Sequence, residues 1–203
     1  MFLRRKKVGE TAKMPPGQSP IPGLLRWGID HPGITPILPD ITKDEWSLTV
    51  DGEVDEPFRL SFPDLLDLPQ TESVSDFHCV EGWSVLKQHW KGVVFRLIQE
   101  KAHPREVAKF ALFECADGYT TSLPLNDLQG NDIIIAHNLN NENLSQPIGG
   151  PVRLIVPQKY AYKSAMWLTK ITFSKEDKLG FWESGYYSNT ADIWKNDRYK
   201  TND

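Results

Sequence analysis

The chain has 203 residues, of which 39% are hydrophobic and 25% charged, a balance typical of one folded domain with a hydrophobic core. Its formal net charge is −4 and it carries no long basic stripe, which argues against nucleic acid as the main partner. No stretch approaches the roughly 18 apolar residues that a membrane-spanning helix needs.

The first 23 residues are predicted to form an irregular arm, because prolines and glycines recur through residues 15–23. The basic residues 4–7 precede a polar, proline-rich segment instead of an apolar run, so no secretory signal is predicted. They are interpreted as a solvated tail or a weak contact with an anionic surface. The expected compartment is therefore the cytoplasm, where Cys79 and Cys115 remain reduced; a disulfide between them is the alternative.

From Trp46 onward, apolar and polar residues alternate in short runs, as they do in half-buried strands. The predicted strands span residues 46–50, 58–62, 73–80, 109–115, 119–123, 133–136, 152–156 and 167–173. Two short helices are predicted: residues 61–68, opened by a capping box at Ser61 and stopped by Pro69, and residues 94–101. The pattern indicates a β-rich α+β domain over residues 24–203, whose aromatic tail from Gly180 wraps the surface.

Several motifs are absent from the sequence, which argues against the enzyme classes that need them. The chain has neither the G-x-G-x-x-G pattern of dinucleotide-binding folds nor the G-x-x-x-x-G-K pattern that cradles nucleotide phosphates. Its two cysteines have no nearby histidine cluster, so they make a poor zinc site. It also has no motif for haem or an iron–sulfur cluster.

The most informative segment is residues 76–83, with the sequence D-F-H-C-V-E-G-W. A predicted strand delivers Cys79 into a Glu-Gly-Trp turn, which can expose the sulfur at the end of the strand. A thiolate is a soft ligand suited to a metal with soft or mixed coordination. Taken alone, the segment fits a buried structural cysteine better than a metal ligand.

Five motifs that follow one another along the chain favour Cys79 as a metal ligand over a structural cysteine. They are C-V-E-G-W-S at residues 79–84, E-C-A-D-G-Y-T-T at 114–121, G-G-P-V-R-L-I-V-P at 149–157, Y-A-Y-K-S-A-M-W at 160–167 and G-F-W-E at 180–183. With M-P-P-G-Q at residues 14–18 and A-D-I-W at 191–194, the chain resembles the molybdopterin-binding oxidoreductases of the sulfite-oxidase type. It is most similar to short members that lack haem and dimerisation domains.

The resemblance implies a sulfite-oxidase-like fold and a molybdenum atom held by one pterin dithiolene and the thiolate of Cys79. It does not distinguish molybdenum from tungsten. It implies that Arg153 grips the phosphate or a carbonyl oxygen of the pterin; an exposed strand charge is the alternative. It places the segment Lys163, Ser164 and Ala165 along the pterin.

Further roles follow from the same resemblance. Cys115 falls where one relative has a threonine near the pterin, or else it is a packing thiol. Tyr187 lies five residues after Trp182, as does the active-site tyrosine of sulfite oxidases, and Tyr186 is the alternative. His31 is assigned to cofactor binding, although a structural role for it or for His78 remains open.

Three positions depart from the family pattern. Ile148 replaces a histidine or asparagine that contacts the pterin in many relatives, and Met166 replaces a lysine before the tryptophan. Ser84 stands where sulfite oxidases carry an arginine, so sulfite is not expected to be the main substrate.

The resemblance therefore implies an enzyme that transfers an oxygen atom to or from a small substrate. The protein would supply a thiolate, orientation and local charge, and the cofactor the redox chemistry. Electrons would be exchanged with an external carrier. Two alternatives are a catalytically idle pterin-binding or carrier protein and a β-rich interaction domain without a cofactor.

Overall fold

The computed structural model describes residues 13–201, which form two mixed β-sheets and three short α-helices. The first sheet contains β1 (Ser19–Pro20), β4 (Thr71–His78), β5 (Trp83–Val94), β8 (Ile134–Leu139), β9 (Glu142–Asn143) and β10 (Arg153–Ile155). The second contains β2 (Ser47–Gly52), β3 (Phe58–Ser61), β6 (Phe110–Cys115), β7 (Thr120–Pro124) and β11 (Leu168–Ser174). The mixed sheets and short helices confirm the predicted fold class.

The path of the first sheet is β1-β5-β8-β10, with β4 on β5 and β9 on β8, and the second has the order β3-β2-β11-β6-β7. Each sheet contains one parallel pair, β1 with β5 and β2 with β11, and its other pairs are antiparallel. The main core joins both sheets. It contains Val93 and Ile135 from the first sheet together with Leu48 and Phe113 from the second. The alternating residues of each strand supply this core, as their period of two requires.

The helices are α1 (Phe62–Asp67), α2 (Phe95–Ala102) and α3 (Phe181–Gly185), and 3-10 turns span Leu125–Leu128, Gln146–Ile148 and Ala161–Lys163. Helix α1 has the predicted capping box, in which Asp64 N donates to Ser61 Oγ and Ser61 N donates to Asp64 Oδ2. The chain turns extended at Leu68, before Pro69, so both predicted helix signals are confirmed. No helix within residues 13–201 is long and apolar enough to cross a membrane.

The first sheet differs from the prediction at two places. Strand β4 ends at His78, so Cys79 and Val80 belong to the following turn. Strand β5, which has 12 residues, went unpredicted because Lys87, Gln88 and Lys91 interrupt its apolar pattern. Its Gly92 is required by close packing, since a Cβ there would collide with the backbone of Ile135 on β8.

The two ends of the chain also have more structure than predicted. Within the predicted irregular arm, Ser19 and Pro20 form β1 and pair with Trp83 and Ser84 of β5. Proline is tolerated there because a short edge strand leaves its missing N–H without consequence. The basic residues 4–7 lie outside the described residues. Residues 180–201 contain α3 and then return along it, with Ser188 N donating to Arg198 O.

Candidate functional site

Cys79 sits in a tight turn between β4 and β5. Gly82 N donates to Cys79 O at 3.0 Å, and Cys79 N donates to Trp83 O at 2.9 Å. Gly82 closes this turn with φ +100°, a left-handed conformation that glycine adopts without the steric cost of a side chain. The Glu-Gly-Trp sequence therefore fixes the place of the sulfur at the end of the hairpin.

The Cys79 turn borders a cavity of about 1090 Å³, a volume that includes solvent at its mouth. Its lining comes from some of the residues in the segments 24–38, 77–83, 117–119 and 161–167, and from residues 153, 182 and 187. Apolar and aromatic side chains predominate, among them Leu24, Trp27, Trp83, Trp182 and Tyr187. A concave, largely apolar site with a few polar groups is the usual form of a small-molecule or cofactor site.

The thiol of Cys79 is nearly buried, with 9% of the residue exposed. Burial, together with the nearby carboxylate of Glu81, raises its pKa to about 12. The sulfur lies 3.7 Å from Glu81 Oε2, a weak hydrogen-bond distance. Without a cationic partner the sulfur therefore keeps its proton, and a metal ion would have to displace that proton to bind.

Glu81 was not singled out from the sequence, although it belongs to the C-V-E-G-W motif. Its carboxylate accepts hydrogen bonds from His31 Nε2 at 2.9 Å and Trp83 Nε1 at 3.2 Å. Burial favours its protonated form, but these hydrogen bonds outweigh burial and lower the pKa of Glu81. The Nε2 of His31 faces Glu81, and its Nδ1 lies 2.8 Å from the carbonyl oxygen of Pro32.

Arg153 lies at the start of β10 and lines the cavity with only 3% of its surface exposed. Its Nη1 donates to Ile148 O at 2.8 Å and its Nη2 to Ser164 O at 3.1 Å, while the buried Nε has no partner. Burial lowers the pKa of Arg153 to about 9, which still leaves it charged at neutral pH. The Nε–H has no acceptor among the described residues, although a guanidinium can donate five hydrogen bonds.

Lys163, in the segment predicted to lie along the pterin, directs its side chain into the protein interior. Its ammonium is fully buried, 2.6 Å from Glu183 Oε1, and it does not line the cavity. It also donates to Ser122 O at 2.8 Å and to Asn189 Oδ1 at 3.1 Å. Its hydrogen-bonding capacity is thus used inside the protein, because ammonium has three donors.

Of the other three residues predicted near the cofactor, one lines the cavity and two do not. Ser164 lines the cavity, and its hydroxyl accepts a hydrogen bond from Val156 N at 3.0 Å. Ala165 and Cys115 belong to the main core and do not line the cavity. Burial raises the pKa of Cys115 well above its usual value, as expected for a packing thiol.

Tyr187 lines the cavity, whereas Tyr186 is not among the lining residues and is 59% exposed. The Tyr187 ring stacks on Tyr162 at 5.2 Å between centroids and meets Trp182 at 5.4 Å. Both neighbours also line the cavity. The structure therefore brings Cys79, Arg153, Ser164, His31 and Tyr187 to one cavity.

The three positions that depart from the family pattern have distinct surroundings. Met166 lines the cavity with an apolar side chain, and Ile148 contributes its backbone carbonyl to Arg153. Ser84 is fully buried, and its hydroxyl lies 2.7 Å from His78 Nδ1. Neither Ser84 nor His78 lines the cavity.

The sequence is similar to a protein family and to several known proteins. Residues 35–182 match the model of the oxidoreductase molybdopterin binding domain. The uncharacterized oxidoreductase YuiH of Bacillus subtilis (strain 168) is 38% identical over 198 residues, which cover 98% of each chain.

The catalytic subunit MsrP of a protein-methionine-sulfoxide reductase from Campylobacter jejuni is 32% identical over 173 residues, or 74% of this chain and 58% of the relative. The NADPH nitrate reductase of Beauveria bassiana is 28% identical over 84% of this chain and 23% of its own. Among solved structures, sulfane dehydrogenase SoxCD from Paracoccus pantotrophus aligns with a TM-score of 0.64 at 20% identity, over 68% of this chain and 40% of that one. This last likeness shows the fold.

Proposed function

The chain belongs to the family of oxidoreductases with a molybdopterin-binding domain, and from this premise we propose that it reduces a small neutral S-oxide. In this reaction a sulfoxide takes up two electrons and two protons and becomes a thioether and water. The methionine-sulfoxide reductase relative, of which this chain spans 58%, supports the substrate class. The thiol of Cys79 facing the same cavity as Arg153 is the observation that carries the proposal.

The residues of the cavity fit a metal–pterin group. Cys79 offers a soft sulfur ligand, and the unpartnered Nε of Arg153 offers a charged donor to a pterin oxygen or phosphate. A buried donor without a partner costs stability, so a ligand that satisfies it binds with that cost relieved. When bound, a molybdenum–pterin group supplies the two-electron redox change and the exchange of the oxygen atom.

The remaining lining residues bind and orient the substrate. Trp27, Trp83 and Trp182 enclose the cavity with aromatic surface, which excludes water and favours an apolar substrate. Tyr187 can donate a hydrogen bond to the oxygen of a sulfoxide. Arg153 is the arginine of the lining, and Glu81 and Asp117 contribute carboxyl groups to it. A neutral substrate therefore suits the cavity better than sulfite.

Electrons come from an external carrier in this proposal. Among residues 13–201 there is no group of three or more His, Cys, Asp or Glu side chains placed to hold a further metal ion. The two cysteines are unpaired, which fits a reducing compartment such as the cytoplasm.

The test is metal and pterin analysis of the protein purified from a cofactor-competent host, followed by reduction of methyl sulfoxides with a reduced dye as electron donor. We expect about one molybdenum and one pterin per chain, and turnover that the matched Cys79→Ser variant lacks. Elemental analysis also separates molybdenum from tungsten. Loaded protein without turnover of any S- or N-oxide would support the idle carrier instead, and protein without metal or pterin would support an interaction domain.

A further inference from the structure

The Cys79 turn is held by side chains from both ends of the described chain. Gln18 Nε2 donates to Cys79 O at 2.9 Å. From the other end, Arg198 Nη1 donates to Val80 O, the next carbonyl along. Two successive carbonyls of this turn are therefore bound by residues that lie 180 positions apart in the sequence.

Arg198 directs its guanidinium at backbone carbonyls. Its Nη2 donates to Gly17 O at 3.0 Å, and its Nε to Asn196 Oδ1 at 2.8 Å. No carboxylate among residues 13–201 forms an ion pair with it. Hydrogen bonds from a charged donor are roughly twice as strong as neutral ones, and a planar fork can bind two carbonyls at a fixed separation.

Gln18 completes the contact from the arm. Its Oε1 accepts from Ser84 Oγ at 2.8 Å, which fixes the orientation of the amide that binds Cys79 O. The backbone repeats the attachment, since Ser19 N donates to Gly82 O at 2.8 Å. The arm thus contacts the turn on its β5 side, and Arg198 links arm and turn through Gly17.

Arg198 also connects the Cys79 turn to Tyr187. Its own carbonyl accepts a hydrogen bond from Ser188 N at 3.0 Å, one residue beyond Tyr187. Gln18 and Arg198 both fall outside residues 35–182, the part of the chain that matches the family model. The arm and the tail therefore each contribute to the site a side chain from outside the matched domain.

We propose that Gln18 and Arg198, together termed the thiol clasp, are positioning residues that fix the turn so that the Cys79 sulfur faces the cavity. The proposal rests on the proposed function only in taking Cys79 as the metal ligand. Without these donors, Val80 O loses its hydrogen bond and Cys79 O keeps only the one from Gly82 N. The turn would therefore open more often.

The test compares Arg198→Ala, Arg198→Lys and Gln18→Ala with Lys195→Ala, a matched control for an exposed cation of the same tail. Metal-free full-length protein is treated with iodoacetamide, and alkylation of Cys79 and Cys115 is followed in the same molecules by mass spectrometry. Cys115 lies in the main core, so its rate reports global unfolding. The ratio of the two rates therefore reports opening of the turn alone.

We expect the Cys79-to-Cys115 ratio to rise about tenfold or more in Arg198→Ala, as the loss of one charged hydrogen bond implies. Gln18→Ala should raise it by a smaller factor and Arg198→Lys should fall between Arg198→Ala and wild type, because lysine keeps the charge and loses the fork. Lys195→Ala should match wild type. An unchanged ratio in both Arg198→Ala and Gln18→Ala, or an equal rise in Lys195→Ala, overturns the clasp.

A second measurement separates the clasp from the proposed function. In metal-loaded protein, the paramagnetic signal of half-reduced molybdenum should change in Arg198→Ala and stay as in wild type in Lys195→Ala. If wild-type protein from a cofactor-competent host holds no molybdenum while the alkylation ratios shift as expected, the proposed function fails and the clasp stands. If molybdenum is bound and its signal and the ratios are unmoved, the clasp fails alone. Should Arg198→Ala not fold, Gln18→Ala decides by both measurements.

Discussion

Lys163 Nζ lies 2.6 Å from Glu183 Oε1, and neither side chain has any surface exposed to solvent. Thr121 Oγ1 donates to the same carboxylate oxygen at 2.5 Å. Burial lowers the pKa of Lys163, although Glu183 opposes that shift. The pair joins α3, which carries Trp182, to the segment that carries Tyr162 and Ser164, so it links two walls of the cavity from behind.

Breaking this pair should destabilise the protein strongly. Glu183→Gln leaves the Lys163 charge buried without a counter-charge, which costs about 3 to 5 kcal/mol. Glu100→Gln, which removes an exposed partner of Arg96, is the matched control and should cost about 0.5 kcal/mol or less. Urea unfolding monitored by tryptophan fluorescence measures both. The double variant Lys163→Met with Glu183→Leu should lose less stability than Glu183→Gln, and an equal or greater loss would contradict the buried-charge explanation.

Features specified by neighbouring residues could be predicted from the sequence. The capping box of Ser61 and Asp64 and the alternation through Leu48 and Val50 were enough to place α1 and β2. Strand β5 could not be found in this way, because it is a strand by virtue of pairing with β4 and β8 on either side. Its Lys and Gln residues are compatible with that position but do not predict it.

The same contrast between neighbouring and distant partners applies to the residues of the site. Cys79 and Arg153 could be singled out from motifs, and the structure places both in the lining of the cavity, one at a turn and one at the start of a strand. The direction of the Lys163 side chain could not be assigned, since it depends on Glu183, 20 residues further along the chain. The contacts of Gln18 and Arg198 could not be predicted either, although Gln18 lies in the M-P-P-G-Q motif, because their partners are backbone carbonyls, which leave no sequence signal.

Cys79 and Cys115 should respond differently to replacement by serine. Cys79→Ser removes the thiolate from the cavity with almost no change in size, so we expect a folded protein that lacks molybdenum or shows a strongly altered paramagnetic signal. Cys115→Ser places a hydroxyl in the core, where the expected effect is a loss of about 1 to 3 kcal/mol of stability with the metal retained. Metal analysis and melting curves distinguish the two. Equal metal loss in both variants would remove the assignment of Cys79.

Tyr187→Phe should slow turnover and leave stability nearly unchanged. If the hydroxyl binds the oxygen of the substrate in the transition state, its loss costs roughly 1 to 3 kcal/mol, or about 5- to 150-fold in kcat. Tyr186→Phe is the matched control, since that ring is exposed and does not line the cavity. Steady-state kinetics with a methyl sulfoxide measures both. A slowed Tyr186→Phe beside a normal Tyr187→Phe would move the role to the neighbouring residue.

Sulfite should be a poor substrate, and Ser84→Arg should not improve it. Ser84 is fully buried between His78 and Gln18 and does not line the cavity, so an arginine there would overpack the wall instead of facing an anion. We expect Ser84→Arg to lower the melting temperature and leave sulfite oxidation at the weak wild-type level. Efficient sulfite oxidation by the wild type at neutral pH would contradict the neutral-substrate proposal.

Arg153 should decide how firmly the cofactor is held. Its side chain lines the cavity, its guanidinium has no carboxylate partner among residues 13–201, and its buried Nε has no hydrogen-bond partner there. Met166 adds no charge and Lys163 is engaged by Glu183, so among residues 13–201 Arg153 is the main cation that lines the cavity. Loss of one charged hydrogen bond weakens binding by about 1.5 to 3 kcal/mol, or roughly 10- to 150-fold.

We therefore expect Arg153→Ala to be purified largely without molybdenum and pterin, and Arg153→Lys to retain an intermediate amount, because it keeps the charge and loses the planar fork. Arg59→Ala, which removes an exposed arginine of β3, is the matched control and should retain full cofactor. The measurement is molybdenum and pterin per chain, with a melting curve for each variant to separate cofactor loss from unfolding. Full occupancy in a folded Arg153→Ala protein would mean that this arginine only supports the carbonyls of Ile148 and Ser164, and that the pterin is held by other residues.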